Sequence, residues 1–439
     1  MMSWLNKISL MILVLAAAFL NTVAIAQDSV SLHNLQPMLR QFVDVANPKT
    51  GLTMSFLGGK SAITMMGAST YDMSLWAMAT SFGRRVISTY AKNSTWAHDQ
   101  NNVQTSSKGY APEGGVLSFI RVSQIDQYGW WSLWEWSVKG GENAWIGLAA
   151  LREYTQYQDG WALDFARQRA NFLLSLQDSD GALRMGPKGQ YFPFPLDDGW
   201  WAIKSTENNE SALYFLDQMY LVTKDYRYKR AADKIYNWLM ETMFDSQAGL
   251  FHRGEAYSAG AWRIDSLEMY SPDTLTCAPV ERMLKDTRLG TTTLDRLNRI
   301  TRMMAEAEKK IGVSSYGQLK GLSFSTETRD QGVVSPEWTS QYILFCNGIA
   351  EYDRREGLLD EAQKMSAKSR SLLRELKSWY ALNDNLLPYA LYVDTGLPAE
   401  SIPTGHGWDT PDSHAALAST IYYGFAENAF DPLRDLIPH

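Results

Sequence analysis

Apolar residues recur at helical spacing along most of the chain, and this periodicity constrains the fold more than any other feature of the sequence. Trp338, Tyr342, Phe345 and Ile349 follow one another at i, i+4, i+7 and i+11, which puts them on one face of a helix. The same pattern predicts helices over residues 32–45, 69–84, 142–156, 161–177, 205–222, 227–243, 273–287, 294–311, 335–352, 357–379 and 411–427. Strand-like alternation is scarce, so the sequence predicts an all-α fold.

The predicted helices come in pairs joined by short turns, such as residues 157–160 and 223–225, while longer loops separate one pair from the next. The long loops span residues 92–141, 178–204, 245–272, 313–334 and 382–410. Helix pairs with short turns on one side and long loops on the other are typical of an (α/α)6 barrel, in which the long loops form one ligand-binding face. An α-solenoid is the alternative, but no fixed repeat period supports it.

The N-terminus has the three parts of a secretory signal. Lys7 gives a positive charge, residues 8–20 form an apolar run, and Ala24-Ile25-Ala26 offers small residues before Gln27. The apolar run is short for a membrane anchor. We therefore predict a signal peptide over residues 1–26, a single domain over residues 27–439 without a further membrane span, and a periplasmic or secreted location.

Composition favours a carbohydrate partner over nucleic acid. The chain has 16 Trp, 22 Tyr and 16 Phe, and tryptophan both packs cores and stacks on sugar rings. Its net charge is −7 and its basic residues form no block, which argues against nucleic acid or an anionic membrane. Cys277 and Cys346 fit no zinc motif and could either pair or remain free. The six histidines form no close pair and no nucleotide-binding motif occurs, so neither metal nor cofactor is expected.

Several predicted helices begin with a carboxylate directly after a long loop: Asp72, Glu142, Glu207 and Glu337, with Asp265 in a similar context within a loop. Acidic residues also favour a helix start because they offset the positive end of its dipole, and this explains any one of them equally well. In a barrel, however, the inner helices begin on one face, so these carboxylates would converge. Converging carboxylates beside aromatic residues suit hydrolysis of a glycosidic bond, which needs one acid and one carboxylate.

Six motifs resemble, in the same order, those of an exported bacterial family within the six-hairpin glycosidase-like superfamily. They lie at residues 47–52, 69–72, 141–148, 205–209, 337–341 and 418–433. This chain has Glu142 where the family has Pro, Asn208 where His is usual, and Trp338 where Gly is usual. The resemblance implies an (α/α)6 barrel and a carbohydrate-active role. The three departures lie near the expected cleft and predict either altered specificity or loss of activity.

We therefore predict an exported glycoside hydrolase that acts on a β-linked or acidic bacterial exopolysaccharide. Glu207 is the leading candidate for the general acid, with Glu337 or Asp72 as its partner. The predicted substrate-binding residues are Tyr71, Trp131, Trp134, Glu142, Trp145, Asp198, Trp200, Trp201, Asn208, Asp265, Trp338, Gln341, His406 and Trp408.

Two alternatives remain open. A polysaccharide lyase would use Tyr71 or His406 as a base. A non-catalytic glycan-binding protein, working with an exopolysaccharide synthesis or export machinery, would need only the aromatic residues. An isomerase on the same barrel would need histidines along the cleft, and the chain has few.

Overall fold

The structure, a computed structural model, describes residues 35–58, 67–92, 115–122, 138–187, 199–399 and 415–436, and α-helices dominate these ranges. The first helices are α1 (Arg40–Asp44), α2 (Thr70–Ala79), α3 (Gly83–Lys92), α4 (Gly140–Tyr157), α5 (Gly160–Leu176), α6 (Thr206–Thr223) and α7 (Tyr226–Trp238). The remainder are α8 (Val280–Met283), α9 (Thr293–Ile311), α10 (Thr326–Asp330), α11 (Pro336–Arg355), α12 (Leu359–Leu382) and α13 (Leu417–Glu427).

The long helices form an inner ring and an outer layer. Each of α2, α4, α6 and α11 packs against the helix that follows it, which gives four antiparallel hairpins. In the inner ring, α4 packs between α2 and α6, and α13 packs between α11 and α2. The segment around α8 lies between α6 and α11, because Thr276 hydrogen-bonds Glu210 and Cys277 lies against Gly348. This arrangement confirms the predicted all-α (α/α)6 barrel.

Three predicted helices are wrong in detail. In the described part of the predicted helix 32–45, only Arg40–Asp44 is α-helical, and residues 36–39 form turns. Residues 69–84 form parts of two helices, because the extended backbone at Thr80 ends α2. The chain turns so tightly there that a Cβ on Gly83 would lie 2.3 Å from the Ala77 carbonyl oxygen. Residues 273–287 contain only the short α8 and two 3-10 turns, Pro272–Thr274 and Thr287–Leu289.

The regions predicted to be loops also contain short antiparallel strands, which the sequence did not indicate. The first strands are β1 (Phe56–Leu57), β2 (Gly67–Ser69), β3 (Phe119–Arg121), β4 (Ile203–Ser205), β5 (Phe244–Asp245), β6 (Leu250–Phe251) and β7 (Gly254–Ser258). The others are β8 (Ala261–Ile264), β9 (Gly312–Ser315), β10 (Gln318–Leu322), β11 (Val333–Val334), β12 (Leu391–Tyr392) and β13 (Ala415–Ala416). Strands this short carry too few residues for period-two alternation to be visible.

These strands fix the starts of the inner helices. Strand β2 leads into α2, β4 into α6, β11 into α11 and β13 into α13. Each pairs with a strand from a distant loop, in the pairs β2–β3, β4–β7, β11–β12 and β13–β1. Each of these helices therefore begins directly after a hydrogen-bonded strand, and this limits where the side chains of its first turn can lie.

Packing between the inner helices is close, and both cysteines belong to this interior. Phe215 of α6 is fully buried against Gly147 of α4, where a Cβ would lie 2.3 Å from the ring. Cys277 and Cys346 are buried and free, so the structure favours two thiols over a disulfide. Within the described ranges, no helix is both long and apolar enough to cross a bilayer.

Candidate active site

A cavity of about 230 Å³ opens at the end of the ring where the inner helices begin. Its described lining includes carboxylates, hydroxyl groups and aromatic rings. The polar residues that line it are Ser55, Ser69, Tyr71, Asp72, Glu207, Ser211, Asp273, Thr276, Glu337 and Gln341. The cavity thus brings together the three residues that the sequence predicted to be catalytic, from helices α2, α6 and α11.

The same local signal starts each of these three helices. The side chains of Ser69, Ser205 and Ser335 each accept a hydrogen bond from the backbone N–H three residues further along. A serine cap of this kind ends the preceding extended segment and satisfies one of the unpaired N–H groups of the first turn. The carboxylate that follows lies in that first turn, so the caps and the paired strands together direct it towards the cavity.

Glu337 is held by two hydrogen-bond donors. The Tyr71 hydroxyl donates to Glu337 Oε1 at 2.8 Å, and Gln341 Nε2 donates to the same oxygen at 3.2 Å. Gln341 lies one turn after Glu337 on α11, whereas Tyr71 comes from α2. These bonds fix the carboxyl group across the interface of two inner helices.

Glu207 has a different environment. Among the described residues, its carboxylate makes no hydrogen bond or ion pair. Burial raises its pKa well above the ordinary value, and the negative charges of Asp273, Glu142 and Glu337 raise it further. Glu207 therefore retains its proton well above the pH at which an ordinary glutamic acid ionises.

The other two candidate catalytic carboxyl groups, Asp72 and Glu337, also have raised pKa values. Burial raises the pKa of Asp72 to about 7, and a hydrogen bond from Ser55 acts in the opposite direction. Burial raises the pKa of Glu337 to about 8, against the opposing effect of the Tyr71 hydrogen bond. Of these two groups Asp72 therefore ionises first, near neutral pH, and Glu337 follows at mildly alkaline pH. Near neutral pH the cavity thus combines protonated carboxyl groups with a partly ionised Asp72.

Aromatic side chains form the walls. Trp145 meets the Tyr71 ring edge to face, with 5.2 Å between the ring centroids. On the other side, Trp338 and Tyr389 line the cavity and both pack against the buried Phe324, at 4.9 and 5.0 Å between centroids. Their half-buried faces offer apolar surface beside the carboxylates, the arrangement that sugar rings need.

Sequence reasoning missed part of this site. Asp273 lines the cavity, although the Ser271-Pro272-Asp273 run repeats the pattern of Ser335-Pro336-Glu337 and could have been found. Glu210, one turn after Glu207, is fully buried and accepts a 2.6 Å hydrogen bond from Thr276. Phe56 in β1 and Tyr389 just before β12 also line the cavity, but neither has a local sequence signal.

Two predicted binding residues on helix starts lie beside the cavity without lining it. Glu142 is close enough to raise the pKa of Glu207, and it forms a 3.6 Å ion pair with Lys139. Asn208 is buried and its Oδ1 lies against Gly141, where a Cβ would be only 2.0 Å away. Asn208 thus fills the contact between α4 and α6, which is why it does not face the cavity.

Three further predicted residues stand apart from the cavity lining. Lys139 Nζ lies 4.9 Å from the Trp200 ring centroid, and the Arg184 guanidinium carbon lies 4.4 Å from that of Trp201. Neither tryptophan is fully buried, so their role as sugar subsites stays a prediction. Asp265 pairs with Arg253 at 3.2 Å, and this ion pair accounts for its position after β8.

The remaining predicted residues, Trp131, Trp134, Asp198, His406 and Trp408, lie outside the described residues. In the part of the chain that is described, no group of histidine, cysteine and acidic side chains could hold a metal ion.

Known proteins resemble the chain in structure but not in sequence. No family model and no curated protein sequence matches it. A sugar epimerase from a ruminal bacterium superposes with a TM-score of 0.57 at 10% identity, over 92% of this chain and 99% of that chain. Cellobiose 2-epimerase from Bacillus thermoamylovorans B4167 gives 0.53 at 12% identity, over 90% and 98%.

The GH76A α-1,6-mannanase from Salegentibacter sp. HEL1_6 gives a TM-score of 0.51 at 12% identity, over 91% of this chain and 98% of that chain. Sequence identities this low show a shared fold but not a shared activity. Of these three proteins with the same fold, one is a hydrolase and two are epimerases. The chain therefore has the (α/α)6 toroid fold that these solved structures share.

Proposed function

We propose that the chain is an exported glycoside hydrolase that cleaves a bacterial polysaccharide. The observation that carries this proposal is the group of carboxyl groups around one aromatic-walled cavity, in which burial keeps Glu207 protonated well above its ordinary pKa while Asp72 ionises near pH 7 and Glu337 near pH 8. Glycosidic bond cleavage needs this pairing of a carboxylic acid with a carboxylate.

In this proposal Glu207 is the general acid. Its proton passes to the glycosidic oxygen as the bond between that oxygen and the anomeric carbon breaks. Glu337 is the partner, because Tyr71 and Gln341 hold its Oε1 and leave Oε2 for the reaction. In a single displacement Glu337, once ionised at mildly alkaline pH because its pKa is about 8, takes a proton from the water that attacks the anomeric carbon. In a double displacement its oxygen bonds to that carbon, and water then releases the sugar.

The charge of the cavity limits the sugar that it accepts. No lysine or arginine is among the described residues that line it, whereas four carboxyl groups are: Asp72, Glu207, Asp273 and Glu337. A uronate in this cavity would meet repulsion without a compensating cation. We therefore expect the ring at the cleavage site to be neutral or to carry an amine, whatever charges lie elsewhere on the polymer.

The lyase alternative is less well supported. A lyase would need the Tyr71 hydroxyl to give up its proton, yet burial raises the pKa of Tyr71 well above its ordinary value and the nearby Glu337 raises it further. Tyr71 instead donates its hydrogen bond to Glu337, which suits a positioning role.

The test is a screen of the purified mature chain against neutral and amine-bearing polysaccharides, with α-1,6-mannan included because one structural relative is an α-1,6-mannanase. We expect new reducing ends from at least one polymer. Glu207→Gln and Glu337→Gln should each reduce turnover by about 10²–10⁴-fold. Glu356→Gln removes a carboxylate at an exposed position and is the matched control.

Each other outcome would reject the proposal in a distinct way. Unsaturated products would indicate a lyase, isomerised sugars without new reducing ends would indicate an epimerase, and binding without products would indicate a glycan-binding protein. Full activity in Glu207→Gln would remove Glu207 from the mechanism. If Asp72→Asn is inactive and Glu337→Gln is not, the partner role passes to Asp72.

A further inference from the structure

A second cavity, of about 510 Å³, lies in the outer layer of helices. Its charged and aromatic lining consists of Lys49, Arg84, Arg85, Lys92 and Trp161. Lys49 comes from the loop before α2, Arg84, Arg85 and Lys92 from α3, and Trp161 from the start of α5. Lys49 and Trp161 are distant in sequence from α3, and only folding brings them to its three basic residues.

This basic pocket is separate from the candidate active site. The active-site cavity lies where the inner helices begin, whereas α3 and α5 begin just after the ends of α2 and α4. Arg84, Arg85 and Trp161 therefore lie towards the opposite end of the ring. The two cavities share no lining residue.

The pocket is strongly cationic in a chain whose net charge is −7. Arg84 pairs with Asp159 at 2.9 Å, and Arg85 donates to the Pro48 carbonyl oxygen at 2.8 Å. These contacts fix the two guanidinium groups in place. In the described part of the chain, the side-chain ammonium groups of Lys49 and Lys92 form no ion pair. Among the described residues, three of the four positive charges thus lack a carboxylate partner.

The position of the arginines indicates a role beyond stability. Arg84 and Arg85 occupy the first turn of α3, which contains no acidic residue. A positive side chain there faces the positive end of the helix dipole, which is unfavourable by roughly 0.3–1 kcal/mol. An anion bound beside them would be favoured by both the side chains and the dipole.

Trp161 adds a surface that a simple ion does not need. Its indole is half-buried, so part of it remains open to the pocket, and Ser81 and Ser88 contribute hydroxyl groups. An aromatic face beside cations and hydroxyl groups matches a sugar ring that carries a carboxylate.

We propose that this basic pocket is a non-catalytic binding site for an acidic saccharide, a polymer segment that contains uronate residues. The carboxylate would interact with Lys49, Lys92 and the two arginines, while a sugar ring stacks on Trp161. The basic pocket would bind an acidic segment of the polymer, whereas the active-site cavity does not accept such a segment. Its existence does not depend on hydrolysis, so binding tests it independently of the proposed function.

The experiment measures binding of trigalacturonate to the mature chain by calorimetry, with the uncharged cellotriose as the comparison. We expect trigalacturonate to bind and cellotriose to bind much more weakly. Binding should weaken as salt is raised, because exposed charges are screened over about 10 Å at 0.1 M ionic strength. The double variant Lys49→Ala/Lys92→Ala should lose about tenfold or more in affinity, since two exposed ion pairs contribute up to about 1 kcal/mol each.

The matched control is Lys309→Ala/Lys364→Ala, which removes the same charge from exposed positions outside the pocket. It should bind trigalacturonate like the unmodified chain. Trp161→Ala should weaken trigalacturonate binding while thermal unfolding and any hydrolytic activity remain unchanged. The proposal fails if the unmodified chain does not bind trigalacturonate, or if both double variants lose affinity equally. It also fails if inorganic phosphate competes fully and Trp161→Ala binds normally, because the pocket would then be a simple anion site.

Discussion

Replacing Glu337 by glutamine should stabilise the fold at alkaline pH while it removes catalysis. The carboxyl group is enclosed by α2 and α11, and burial raises its pKa from 4.5 to about 8. An unfolded chain would ionise this group near its ordinary value, whereas the folded chain keeps the proton until much higher pH. Glutamine is uncharged throughout, and its amide oxygen can still accept the hydrogen bonds from Tyr71 and Gln341.

The sign follows from this difference in proton binding. The contribution of Glu337 to the free energy of unfolding is most favourable below about pH 4.5 and falls as pH rises to about 8, because the unfolded state releases a proton that the folded state retains. At about 1.4 kcal/mol per pKa unit, the fall has an upper limit of about 5 kcal/mol. Partial access of water through the cavity reduces this limit to about 2–3 kcal/mol. For a chain of this length, about 1 °C of melting temperature corresponds to 1 kcal/mol.

The assay compares thermal and urea unfolding of both proteins at about pH 5 and about pH 9, the range over which the carboxyl group titrates. Glu337→Gln should match the unmodified chain at the lower pH and exceed its melting temperature by about 2–3 °C at the higher pH. Glu356→Gln should show no such pH-dependent difference. Equal pH dependence in Glu337→Gln and the unmodified chain would refute the buried, protonated carboxyl group.

Three further predictions concern the Tyr71 hydrogen bond, the packing of α4 against α6 and the N-terminus. Tyr71→Phe removes a hydrogen bond that lowers the pKa of Glu337, so this pKa should rise. The acidic limb of the pH–activity profile should then move to higher pH, and the activity at neutral pH should fall about tenfold. Gly147→Ala would place a Cβ 2.3 Å from the buried ring of Phe215, so it should reduce the free energy of unfolding in urea by about 1–3 kcal/mol. Gly160→Ala, where the added Cβ would enter open space, should leave the free energy of unfolding unchanged. Mass analysis of secreted protein should show Gln27 at the N-terminus, and retention of residues 1–26 would contradict the signal peptide.

Local signals in the sequence predicted the helices well where they are long. Residues 205–222 were predicted as a helix and α6 is Thr206–Thr223, because a serine cap and a regular apolar period act within a few residues. The same reasoning failed at residues 273–287, where prolines at 272 and 279 interrupt the pattern and tertiary contacts support 3-10 turns instead.

The convergence of Asp72, Glu207 and Glu337 could also be expected before the structure was known. Each follows a serine cap at the start of an inner helix, and the barrel brings inner-helix starts to one face. Asn208 has the same local context as Glu207, yet it faces Gly141. Neighbouring positions on a helix point in different directions, and only the packing of the adjacent helix decides which of them meets the cavity.

The sequence by itself determined the helices, their pairing into a barrel and the end of the barrel at which the acidic residues gather, since each depends on short-range spacing and on topology. Only the tertiary structure decided the raised pKa values of the cavity carboxyl groups, because these values depend on burial and on distances between residues far apart in the chain. It also decided the aromatic wall and the basic pocket. Tyr389, Lys49 and Trp161 carry no signal of their own, and they acquire their roles from neighbours that only folding brings into contact.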